Sequence, residues 1–261
     1  MSRFTSSRFT VGNREHEKRH PQTMSRATVI ARRELASYFY SPIAYVAMFL
    51  FLVVAGYVFR QDFQPGQPVA MRAIFEWMVW LLVAILPVLC MGLLAQEWAT
   101  GTIETMMTAP VEEHEVVLGK FLGSFLFFLV LLAPTLLYLV MLAVYGRPDY
   151  GPIFSGYLGL ILVGALFIAI GLFCSSLTRS QVVAAVAAAG ILFLVTVLPW
   201  FAAGQATLTG LGRKLVEQGV MARYSDFAKG VIDTGNLVYF LAATGVFLFL
   251  TVKVLESRRW K

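Results

Sequence analysis

Six stretches of this chain contain no Asp, Glu, Lys, Arg or His: Ile43 to Phe59, Trp77 to Ala95, Phe121 to Tyr145, Ile153 to Cys174, Val182 to Ala203, and Leu237 to Val252. A helix rises about 1.5 Å per residue, so roughly 20 residues cover a hydrocarbon core about 30 Å thick. Each stretch is therefore read as a membrane crossing. The first and last sit at the short limit, and Tyr38, Phe39, Tyr40 and Trp260 are placed to extend them as interfacial anchors. The expected fold class is an all-α polytopic membrane protein with six transmembrane helices. The chain is 58% hydrophobic and 14% charged, whereas soluble domains carry about 25% charged residues.

Lys and Arg are retained on the cytoplasmic side of short loops. With both termini inside, that side holds twice as many of them as the other. An integral inner (plasma) membrane protein with cytoplasmic termini is expected. The net charge of +6 requires only an anionic membrane surface and gives no reason to invoke nucleic acid. Residues 1–24 are polar, lack the apolar core of a secretory signal and are expected to be disordered. The triplet MSR recurs at Met24, so translation could begin at either methionine. Cys90 and Cys174 fall inside crossings and match no metal spacing, which reads as packing.

Before the first crossing, Ala31, Leu35, Tyr38 and Phe39 recur at helical spacing, with Arg32, Arg33 and Ser37 elsewhere around the helix. This is an amphipathic helix, either a lipid-facing anchor or an elbow that touches a cytoplasmic partner. Its charged set is Arg32, Arg33 and Glu34, and Pro42 favours a break after it. Pro87, Pro134 and Pro199 lie inside the second, third and fifth crossings and are expected to kink them. Gly156, Gly159, Gly164 and Gly171, and the pair Ala184 and Ala188, allow close helix approach within the chain or across a dimer. Between the fifth and sixth crossings, Leu208, Leu211 and Leu215, then Val220, Tyr224, Phe227 and Val231, predict two short amphipathic helices at the external face. They could form a lid or a packed cap.

Several chemistries are disfavoured. The sequence HEVVLGKF places His114 and Phe121 where a phosphate-binding loop needs Gly and Ser or Thr, so ATP hydrolysis by this chain is not expected. The three histidines form no metal constellation, and no catalytic set for intramembrane proteolysis is visible. The charge-free crossings lack the ionisable groups that ion-coupled carriers need. Energy for any uphill movement is expected to enter from outside the bilayer, and no cofactor is expected on this chain.

Five of the fifteen acidic residues, Glu97, Glu104, Glu112, Glu113 and Glu115, gather in QEWATGTIETMMTAPVEEHEVVLGK between the second and third crossings. Gly101 and Thr102 interrupt the helix leaving the second crossing, and Thr102 could cap a short new helix with Glu104 in its first turn. Pro110 can start the next piece, with Glu112 and Glu113 in a favourable first turn. A protruding helical hairpin is expected. Glu97, Gly101, Thr102, Glu104, Pro110, Gly119 and Lys120 meet the pattern E-x-x-x-G-T-x-E-x5-P-x8-G-K. On these residues the chain resembles the permeases of ABC-2-type transporters, of type V fold. Phe227 to Trp260 resembles the ending of the gliding-motility-associated branch.

The resemblance covers Met24 to the C-terminus, making residues 25–261 one ABC-2-type transmembrane domain. It implies an exporter permease paired with a second permease, identical or related, and with cytoplasmic ABC ATPase subunits that hold ATP and Mg. It also implies that the hairpin, with Glu97, Gly101, Thr102, Glu104, Pro110, Glu112, Glu113, Gly119 and Lys120, is the coupling element that docks on the ATPase. The acidic VEEHE run departs from relatives and leads us to expect a basic groove on that ATPase. The alternatives are an ATP-independent channel or carrier and a membrane scaffold for mechanical or motility work.

Overall fold

The computed structural model describes residues 26–62, 71–102, 112–145, 149–203, 216 and 218–259. Among these the regular structure is helical, and six helices are long and apolar enough to cross a membrane. They are Pro42–Gln61, Arg72–Thr100, Glu113–Val144, Tyr150–Leu177, Gln181–Phe201 and Thr234–Arg258. Each encloses the greater part of one charge-free stretch and extends beyond it. The third shows why: the helix opens on the acidic residues Glu113 and Glu115, whose carboxylates favour a helix N-terminus, well before the apolar run begins.

The fourth crossing is the most buried of the six and the sixth the least. Its glycines are what allow this. A Cβ on Gly156 would lie 2.4 Å from the Phe75 ring, and one on Gly164 would lie 2.2 Å from Phe128. Aromatic rings of the second and third crossings thus occupy the space a side chain would need. Ala184 and Ala188 of the fifth crossing are also buried within the chain.

The three intramembrane prolines sit in or near departures from α-helix. Pro134 lies in a 3-10 turn, Ala133–Thr135, where the Thr135 hydroxyl donates to Leu132 O at 2.6 Å. Pro199 follows a π-turn, Phe193–Val197. Pro87 lies inside the helix Arg72–Cys90, and the second crossing then breaks at Met91 to Leu94 before a short helix, Ala95–Thr100. Proline lacks the donor that closes the preceding turn, so such sites accommodate non-α geometry at low additional cost.

At the end of the bundle away from the hairpin, Val220–Ala228 forms the second of the two expected short helices. Val220, Tyr224 and Phe227 are fully buried, but Val231 is 56% exposed. The apolar period stops because Gly230 turns the chain at φ 93°. This helix is a packed cap. Ser155 donates to Phe227 O at 2.7 Å, and Arg223 and Asp226 both bond to Asn236 at the start of the sixth crossing. The helix expected around Leu208, Leu211 and Leu215 lies outside the described residues, as do Glu104 and Pro110.

Candidate functional site

The elbow helix, Arg26–Tyr40, ends one residue before Pro42 opens the first crossing. It packs along the third crossing, where Gly119 and Gly123 leave a groove for it. A Cβ on Gly119 would come within 2.7 Å of Ile30 Cβ and 2.9 Å of Ala27 O. One on Gly123 would come within 2.7 Å of Glu34 Cβ and 2.8 Å of Ala31 O. This is the close backbone approach that small residues four apart permit. The apolar side of the elbow is thus covered by protein, while Arg32 and Arg33 stay exposed.

That contact encloses Lys120, whose side chain is only 2% exposed. Its Nζ lies 2.8 Å from Glu97 Oε1 and 3.2 Å from Glu34 Oε2. Glu34 belongs to the elbow, Glu97 to the short helix after the second-crossing break, and Lys120 to the third crossing. One ammonium therefore ties three elements together. The two carboxylates are about four-fifths buried, and Glu97 Oε2 is buried with no protein partner. A buried charge is tolerated only when paired, so each of the three groups depends on the others.

Tyr38 extends the joint. Its hydroxyl donates to Leu89 O at 3.1 Å and lies 3.1 Å from Ser124 Oγ, while the Ser124 hydroxyl bonds to Lys120 O at 2.9 Å. Burial pushes the Tyr38 phenol well above its ordinary range, which keeps the donor protonated.

The break in the second crossing is held from the fourth. Ser175 Oγ accepts from Leu94 N–H at 3.0 Å and Ala95 N–H at 2.9 Å, and donates to Met91 O at 3.0 Å. One hydroxyl, used to its full capacity, satisfies three backbone groups that the break frees. Ser175→Ala should strand all three, at about 1–3 kcal/mol for each group left unpaired. The expected result is a lower thermal midpoint and faster amide exchange at Leu94 and Ala95. Unchanged exchange there would show that the knot contributes nothing.

Downstream, Gly101 closes the short helix in the left-handed region at φ 72°. This places the helix interruption where the sequence puts it. Arg258 of the sixth crossing donates to Leu177 O at 2.6 Å and lies 4.8 Å over the Trp98 ring, bracing the same helix from another side.

Glu112 is the residue before the helix Glu113–Leu132, so it caps that helix instead of lying in its first turn. The Glu115 carboxylate accepts from Glu112 N–H at 3.3 Å, and His114 Nδ1 lies 3.2 Å from Glu112 Oε2. The reciprocal capping contact explains the shift, because it leaves Glu112 extended and starts the helix one residue later. Gly101, Thr102 and Glu112 are exposed, Glu97 and Glu113 are partly buried, and Gly119 and Lys120 are buried.

Comparison with known sequences decides what this assembly belongs to. The profile of the family described as ABC-2 family transporter protein matches residues 20–256, nearly the whole chain. The chain belongs to the ABC-2 transporter family. It is a membrane permease subunit of an ABC transporter, of a family whose members are generally non-catalytic and typically work with an ABC ATPase and as dimers. The match defines the ABC-2 family as a whole and not the motility-associated branch. No curated protein matched the chain.

Sequence reasoning about this ABC-2 permease missed four residues of the joint: Glu34 as a partner of Lys120, and Tyr38, Ser175 and Arg258. The spacing of Gly119 and Gly123 beside a lysine could have signalled the first. Nothing in the sequence around Ser175 marks it as the plug for a break 80 residues away.

Proposed function

We propose that this permease couples ATP hydrolysis by a separate nucleotide-binding subunit to export of a substrate, and that the segment between the second and third crossings is the docking element. The observation that carries the reading is the Lys120 joint. It binds the elbow and the base of both hairpin legs into one unit, so a push on the hairpin moves the ends of the second and third crossings together. The Met91 to Leu94 break is the pivot about which the long arm of the second crossing changes its angle. Bias between inward-open and outward-open states then arises from the ATPase binding the two hairpin positions differently.

In this reading the termini and the hairpin face the cytoplasm, where the ATPase holds ATP and Mg. A second permease, identical or related, completes the pathway. Glu97, Gly119 and Lys120 act by positioning, being inside the joint. Gly101, Thr102, Glu104, Pro110, Glu112 and Glu113 belong to the part that reaches the partner, and the acids suit a basic groove on it.

The test is co-purification and ATPase stimulation with the Walker-motif ATPase that accompanies this chain. Glu113→Lys should weaken association by about tenfold, equivalent to about 1.4 kcal/mol, while membrane insertion is unchanged. Equal recovery of the ATPase with the parent and the variant would remove the docking role. Substrate transport by the purified permease without any ATPase would favour the channel or carrier reading.

A further inference from the structure

We propose that the crevice beside the Lys120 joint binds the headgroup of an amine-bearing zwitterionic phospholipid, of the phosphatidylethanolamine type. The crevice has a volume of about 130 Å³ and lies between the elbow helix, the start of the first crossing, the Met91 to Leu94 break and the start of the fifth crossing. Polar groups enter from all four: Glu34 and Ser37, Ser41, Gln96, and Gln181. The inference rests on the membrane-spanning fold and on no partner subunit.

The distribution of charge selects the ligand. Glu34 is the one ionised side chain on the wall, and it calls for a cation. A primary ammonium brings three N–H donors to the carboxylate and to serine or glutamine oxygens, whereas a trimethylammonium brings none. On the other side, Ser41 immediately precedes the first crossing, and Gln181 is the first residue of the helix Gln181–Leu192. Two long helices thus turn their positive ends toward the crevice, where neutral hydroxyls and amides can hold a phosphate. A carboxylate facing two helix starts across one small space fits an ammonium and a phosphate joined by a short linker.

The setting makes the source a lipid and not a soluble amine. Tyr40, 88% exposed, and Tyr45, whose hydroxyl donates to Phe39 O at 2.9 Å, flank the crevice as residues of an interfacial belt. Ile43 and Val88 form its rim and are themselves exposed, and Val46 and Leu50 carry the apolar surface onward along the first crossing. Acyl chains lie along that surface while the headgroup enters the crevice. Because the occupant touches both the elbow and the second-crossing break, its affinity changes when they move, and the lipid biases the same two states.

Native mass spectrometry of the full chain in detergent, offered equal amounts of phosphatidylethanolamine, phosphatidylcholine and phosphatidylglycerol with matched chains, tests this. We expect preferential retention of the ethanolamine lipid by about fivefold, or about 1 kcal/mol. In Gly92→Leu the new side chain starts 3.3 Å from Gln96 Oε1 and 3.9 Å from Gln181 Cδ, so it grows into the crevice between the two amides. That variant should lose the preference. Gln181→Leu removes one amide at a partly exposed helix start and should reduce it, which keeps the test open should the glycine variant fail to fold. Equal retention of the three lipids, a preference for phosphatidylglycerol, or an undiminished preference in both variants would overturn the proposal.

Discussion

Lys120→Met should destabilise the protein by about 3–5 kcal/mol, the cost of leaving buried carboxylates without their counter-ion. Whole domains are stable by only about 5–15 kcal/mol, so the loss is a large share of what holds the fold. It should be visible as a strongly lowered thermal midpoint in detergent. Methionine keeps the length and apolar stem of lysine, which isolates the charge. The triple variant Glu34→Gln, Glu97→Gln and Lys120→Met removes all three charges and should recover much of the lost stability, because a buried ionic cluster and a neutral one of similar shape differ little. If the joint transmits force from the hairpin, the triple variant should fold and still stimulate the ATPase poorly. A single lysine variant as stable as the parent would mean that the cluster is not an interdependent unit.

The second large effect is expected from Gly119→Ala combined with Gly123→Ala. Each added methyl would sit within 3 Å of the elbow backbone and of an elbow Cβ. Neither contact can be relieved by turning the end of a flexible side chain. Overpacking of this kind costs about 1–3 kcal/mol per site, and here the two costs fall on one interface. The elbow should swing away, carrying Glu34 from Lys120. Amide exchange across Arg26–Tyr40 should rise, and ATPase coupling should fall along with it. Protection equal to that of the parent would show that the elbow does not depend on this groove.

The crossings were legible because length and the absence of charge are properties of a single segment. The elbow was legible as a helix for the same reason, through the spacing of Ala31, Leu35, Tyr38 and Phe39. What covers its apolar side was not, because a helix period is the same whether it faces lipid or protein. Lys120 illustrates the limit most sharply. It stands at the edge of an apolar run, where a lysine normally reaches for water, and only the arrival of Glu34 from 86 residues away makes burial affordable. The hairpin was legible in part: Gly101 turns where expected, and the acids do gather at a helix start. The role of Ser175 was not, since a serine at the end of an apolar helix is ordinary in sequence and its partners are backbone groups, which have no residue identity to read.

The order of the joint along the chain has a consequence for biogenesis. Glu34 and Glu97 both precede Lys120, so they leave the ribosome first and wait at the membrane surface, where water still solvates them. At about 5–20 residues per second, the lysine follows the elbow by several seconds. It then meets both carboxylates as the third crossing inserts, and the costliest charge never has to enter the bilayer alone. Had the lysine come first, the nascent chain would have held an uncompensated cation at the lipid boundary while its partners were still being translated.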